Sequence, residues 1–280
     1  MSAIKSYFKH EVNLSKLGLE YSKPSTFYLS AWQTNRSVIP LLIWRSILFL
    51  ASLGIVLTSM VMYGQGGKLK FWFIYLTHWG ITLNTLATGF SVAVSVRCYL
   101  YGPIGADFGL PWYVKSYWVL YNSAVPMAFL ITVFYWTVLY EAGFEEEMNH
   151  GVDVGVHGLN SVVMFLLLAS SSHPSRLLHV YQPFIFGLTY GFFSAMYYLA
   201  GGLDKYGNTY IYPVINWGKP GPTLGMVAIT ALLLVSLHFA VVGLAAIRDG
   251  IASRCLRRSV VTHIEEGMPL RSPAKTIVYP

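Results

Sequence analysis

Six long apolar runs dominate the chain, at residues 41–64, 71–96, 118–140, 154–171, 183–203 and 224–247. A bilayer crossing by an α-helix needs about 17–25 mostly apolar residues, and each run meets that length. The runs are continuous rather than alternating. In lipid a crossing segment must also satisfy its own amides, so the pattern predicts helices and not barrel strands. Gly and Pro punctuate the connections, at Gly64-Gln65-Gly66-Gly67, Gly102-Pro103, Gly201-Gly202 and Pro220-Gly221-Pro222. Pro126 falls inside the third run and predicts a kink. Gly187 and Gly191 in the fifth run form a small-xxx-small pair that lets helices approach closely. The expected architecture is an all-α membrane protein, a six-transmembrane helical bundle. Residues 1–39 form a polar head whose aromatic stretch Phe27 to Trp32 is expected at the interface. Residues 40–248 form the membrane domain, and 249–280 a disordered basic tail. The first run starts too late and is too long for a cleavable leader, and reads as a retained span.

Composition agrees. Of 280 residues, 55% are hydrophobic and only 11% charged, against about 25% in soluble domains. That excludes a soluble enzyme, a disordered chain and a disulfide scaffold. The net charge is +7. Its Lys and Arg residues crowd into the two ends of the chain, with no basic stripe of the kind nucleic acid needs. By the positive-inside rule both termini are expected in the cytoplasm, of a plasma membrane or endoplasmic reticulum protein. Arg45, inside the first run near its inner end, is expected to snorkel to the headgroups. Cys98 and Cys255 are too few for a disulfide framework. Cys255, within Arg254-Cys255-Leu256-Arg257-Arg258, is a candidate for lipidation by palmitate.

Polar side chains inside the runs carry the chemical information, because each costs free energy to bury. In the second run Thr77, Asn84, Thr88 and Ser91 share one helix face at about 100° per residue. Hydroxyls there often only bond back to their own helix. Asn84 must face protein or water. In the fourth run Asp153 and His157 are four residues apart and share a face, which Asn160 and Ser161 extend. Both spans enter from the outer side, so Thr77 and His157 lie at similar depth if the spans are neighbours. A Thr hydroxyl becomes nucleophilic when a base takes its proton, and a neutral His is such a base. Asp153 would orient the imidazole, and Asn84 or Asn160 could donate to an oxyanion. The pair suits an ester whose chains stay in the membrane, with lipid as substrate or ligand and no cofactor. A metal reading of His150, Asp153 and His157 competes, with Glu145, Glu146 and Glu147 just before them. His238 reads as a packing histidine, and His173 and His179 belong to the cytoplasmic side.

At Tyr75-Leu76-Thr77-His78-Trp79-Gly80 and Val156-His157-Gly158-Leu159-Asn160-Ser161 the sequence resembles the rolling stone family of animal membrane proteins. The resemblance covers about residues 25–250. It implies a link to myoblast fusion or adhesion, as a non-enzymatic membrane protein. It also implies a distant similarity to the androgen-induced and androgen-dependent transmembrane threonine hydrolases. Those cleave fatty acid esters of hydroxy fatty acids with a Thr and a His, which would correspond to Thr77 and His157. The surroundings depart from the hydrolases. His-Trp-Gly follows Thr77, and Gly-Leu-Asn follows His157, where the hydrolases carry a Thr and a Pro close behind.

Overall fold

The computed structural model describes residues 11–105, 109–141, 143–144 and 149–265, with 257–265 as backbone alone. Its long helices are α1 (Ile39–Gln65), α2 (Leu76–Tyr101), α3 (Trp112–Leu139), α4 (His150–Ser170), α5 (Tyr181–Leu199) and α6 (Pro220–Glu265). The protein is therefore an all-α bundle. Five of these helices are long and apolar enough to cross a membrane, and α5 is the exception. At 19 residues α5 spans about 28 Å, close to the thickness of a hydrocarbon core. It falls short on apolarity because Gln182, Thr189, Ser194 and four tyrosines interrupt it.

The third run starts earlier than expected, at Trp112, and the second and sixth depart from expectation for physical reasons. The second breaks into a short helix, Leu69–Trp72, and then α2. The indole N–H of Trp72 donates to Ser59 Oγ, and His78 Nδ1 lies 2.6 Å from the Trp72 carbonyl oxygen. The indole of Trp79 likewise donates to the Phe73 carbonyl. These side-chain bonds replace helical ones and turn the chain. The sixth run continues as helix to Glu265, so residues 249–265 are helical where the sequence suggested disorder. Arg248 and Ala252 are buried at that point, and Arg248 donates to the carbonyls of Leu168 and His173. Residues 266–280 lie outside the described residues.

Helices alternate in direction and bury two clusters. One end gathers Phe27, Tyr117, Trp118 and Leu168; the other gathers Tyr63, Tyr75, Tyr135 and Tyr212. At the first end the polar head folds back on the bundle. Phe27 is core rather than interface, stacked on His173 and edge-on to Tyr117 and Trp118. Arg176 ties the head down by donating to the carbonyls of Lys16, Gly18 and Glu20.

Arg45 corrects the snorkelling expectation. It is fully buried. Its guanidinium donates to the Phe27 and Ser91 carbonyls, to Ser95 Oγ and to Tyr117 Oη. Four acceptors within reach satisfy the guanidinium inside the bundle, so it does not extend to the headgroups. Arg45→Ala strands these acceptors and should cost about 2–3 kcal/mol of stability. Arg45→Lys should recover little, because an ammonium lacks the fork that reaches all four. Denaturation of the detergent-solubilised protein measures both.

His179 lies outside the crossing helices. Asn122 donates to its Nδ1 at 2.9 Å, so Nε2 carries the proton and donates to the Gly18 carbonyl. Burial pushes its pKa down to about 4, partly opposed by that carbonyl and helped by Arg176 and His238. His173 is lowered too, by burial and by Arg248 and Arg45. The unfolded imidazole takes a proton near pH 6.5, before the folded one does. Stability is therefore full above about pH 6.5 and is lost as pH falls towards 4. Thermal melts across that window should show the loss, and His179→Gln should reduce it while leaving the share of His173.

Candidate functional site

The second end of the bundle holds the polar cluster. α4 starts there because Asn149 caps it, its side chain accepting from the amides of Gly151 and Val152. After Val154 the helix widens into a π turn, Gly155–Leu159, with His157 at its centre. A second π turn, Tyr135–Leu139, closes α3 opposite. π turns are rare and concentrate at functional sites. Here both carry members of one cluster.

Asp153 is its hub. The Tyr135 hydroxyl donates to Asp153 Oδ2 at 2.6 Å. His157 Nδ1 lies 3.0 Å from Asp153 Oδ1 and 3.1 Å from the Asp153 carbonyl oxygen. The rings of Tyr135 and His157 stack at 3.4 Å, only 7° from parallel. All three side chains are buried. Asp153 as acceptor makes Nδ1 the protonated nitrogen, so Nε2 is the basic one.

Thr77 is the second residue of α2. The Leu76 amide before it donates to the Tyr212 hydroxyl at 2.9 Å, which fixes the start of the helix. Thr77 is buried and lines a cavity of about 40 Å³ with Ile131, Phe134, Tyr135 and Thr230. α2 packs against the π turn that carries His157, so the second and fourth spans are neighbours. Gly80 permits the close passage of α3 beside Thr77, since a Cβ there would collide with Ile131 Cδ1. Tyr135 thus belongs to both halves: it walls the Thr77 cavity and stacks on His157.

The other sequence candidates divide. Thr88 donates to the Asn84 carbonyl and Ser91 to the Thr88 carbonyl, which is helix back-bonding. Asn84 is buried, and neither end of its amide has a hydrogen-bond partner among the described residues. Asn160 Oδ1 accepts from Thr132 Oγ1 at 3.2 Å, while its nitrogen has no such partner there. His150 is exposed while Asp153 and His157 are buried. Among the described residues no three His, Cys, Asp or Glu side chains gather as a metal ion requires. Glu145, Glu146 and Glu147 lie outside the described residues. His238 bonds the Arg176 carbonyl at 3.1 Å, a packing role. Cys98 is buried and Cys255 exposed on α6.

Sequence reasoning missed Tyr135. It is one of many aromatics in an apolar run, and only its stack and its bond to Asp153 single it out. It also missed Lys205, whose ammonium lies over the rings of Tyr63, Tyr75 and Tyr206 at this same end.

These features define a multi-pass helical membrane protein with a hydroxyl, carboxylate and imidazole buried together at one end of its bundle. The family model described as protein rolling stone matches residues 2–262. Over 222 residues the chain is 30% identical to protein rolling stone of Drosophila melanogaster, covering 76% of this chain and 79% of that protein. The chain belongs to the rolling stone family. No solved structure matches it.

Tyr135→Phe removes the hydroxyl that donates to Asp153 Oδ2. It should cost about 1–3 kcal/mol while keeping the stack, because a buried carboxylate loses a donor. Asp153→Asn should rescue part of that loss in the double variant, since it removes the charge. A double-mutant cycle by chemical denaturation measures the coupling.

Proposed function

We propose that the protein is a membrane-embedded lipid-ester hydrolase of the kind that cleaves fatty acid esters of hydroxy fatty acids. Thr77 is the nucleophile and His157 the general base. The reading rests on one observation above the others: Tyr135 lines the Thr77 cavity and its ring stacks on His157, which brings the two halves of the pair to one side chain. Asp153 holds the imidazole tautomer that leaves Nε2 basic. The resemblance of the sequence to transmembrane threonine hydrolases implies the same two residues.

The steps follow from these groups. His157 Nε2 takes the Thr77 proton as the hydroxyl oxygen attacks the ester carbonyl. The negative charge on the tetrahedral intermediate is met by an amide N–H of Asn84 or Asn160. The C–O bond to the alcohol breaks, and the imidazolium returns its proton to that alcohol. Water repeats the sequence, releasing the fatty acid and restoring Thr77. In this reading α5 is a sixth crossing and both termini are cytoplasmic, so the site faces the outer leaflet of the plasma membrane or endoplasmic reticulum.

The second reading is a non-enzymatic membrane protein of cell fusion or adhesion. The complete burial of His157 favours it, since a stacked and bonded imidazole also serves to tie helices. Fluorophosphonate labelling of the purified protein separates the two. The hydrolase reading expects labelling of wild type and Thr77→Ser, and its loss in Thr77→Ala and His157→Ala that remain monodisperse. Their rate losses should be non-additive, as for residues that act as a unit. Equal labelling of wild type and both alanine variants would overturn it in favour of the tie.

A further inference from the structure

Beside the Thr77 cavity lies a second, larger one. It is a crevice of about 100 Å³ between α3, α5 and α6. Leu76, Leu130, Ile215 and Thr230 line both cavities, so the two adjoin. Along α5 the crevice runs from Phe184 to Ser194. Ten residues of helix make that about 15 Å.

Its walls say what would fill it. Most of the lining is Leu, Ile, Val, Phe, Met, Ala and Gly. Three polar residues interrupt this, and each has its hydroxyl proton committed. Tyr190 donates to the Ile74 carbonyl, Ser194 to the Gly191 carbonyl and Thr230 to the Met226 carbonyl. No donor is left to greet a headgroup or a polar ligand, so an occupant with polar groups would bury them unmatched. Gly187 and Gly191 form the α5 wall. A Cβ on Gly187 would rest against Leu234 at 3.5 Å, whereas one on Gly191 would meet no atom within 4 Å. Gly191 is thus a wall position at which a side chain can be added without a clash. The exposed faces of α5 and α6 beside it carry Leu188, Phe192, Leu232 and Ile229, which suit lipid.

We infer that this crevice is the acyl-chain site of the protein, taking one hydrocarbon chain of a membrane lipid laterally between α5 and α6, with its carbonyl end towards Thr77. The inference deepens the proposed hydrolase reading and rests on it for the direction in which the chain points. Gly187 and Gly191 keep the α5 wall free of side chains, which leaves room for the chain. A chain entering this way never leaves the apolar layer, which matches a crevice without free donors.

The test uses full-length Thr77→Ala reconstituted in phosphatidylcholine nanodiscs, with a diazirine-bearing palmitate as the probe. Crosslinks should concentrate on residues 184–194 and 227–234. Gly191→Leu in the same background should lower capture about tenfold, the change that 1.4 kcal/mol of lost affinity gives. Gly243→Leu places the same side chain at an exposed α6 position where a Cβ also meets nothing, and should leave capture unchanged. Capture equal in Gly191→Leu and Gly243→Leu overturns the inference, as do crosslinks spread evenly over α1 and α6. Capture that behaves as expected in a protein no fluorophosphonate labels would keep the acyl site and remove the hydrolase reading.

Discussion

A carboxylate placed among apolar helices has to be answered by donors of its own bundle, because lipid supplies none. Asp153 is that carboxylate. One oxygen takes the Tyr135 hydroxyl and the other lies beside His157 Nδ1. Three separate stretches of chain become dependent on one another through it: the end of α3, the start of α4 and, through the Tyr135 wall, the start of α2. The aromatic shell of Tyr63, Tyr75, Phe144 and Tyr212 closes over this end and keeps the dielectric low. A low dielectric strengthens each of those contacts and penalises any that breaks.

The opposite end solves the same problem with positive charge. Arg45, Arg176 and Arg248 are buried or nearly so, and backbone carbonyls supply most of their acceptors. Carbonyls are the cheapest acceptors a folded chain has, since the head and the loop at 171–176 leave theirs outside helices. The two ends thus differ in kind. One is a carboxylate answered by side chains, with an adjacent cavity. The other is a set of guanidinium groups answered mostly by backbone carbonyls.

The sequence made the bundle legible because lipid imposes length and apolarity on each crossing. Thr77, Asp153 and His157 were legible for the converse reason: a polar residue kept in an apolar run needs a cause. Tyr135 was not, since a Tyr in an aromatic-rich helix has ordinary causes enough. Arg45 was misread because snorkelling depends only on depth along a helix. Its true partners sit up to 72 positions away in the chain. The helix beyond residue 248 was missed because it has little apolar periodicity, and its anchor is Arg248 reaching across to α4.

The π turn at Gly155–Leu159 has a consequence for how such chains are compared. It winds one residue more into a turn than an α-helix needs. Everything after it is rotated by about 100° relative to an unbroken helix counted from Asn149. A helical wheel drawn through α4 puts Asn160 and Met164 on the face of Asp153, whereas the π turn rotates both about 100° away from it, and both are still buried. A relative lacking the extra residue would keep the same inward face only with a one-position gap in this turn. The spacing between the cap and His157 is thus a geometric marker, and a change in it by one residue signals a rebuilt site rather than a drifted loop.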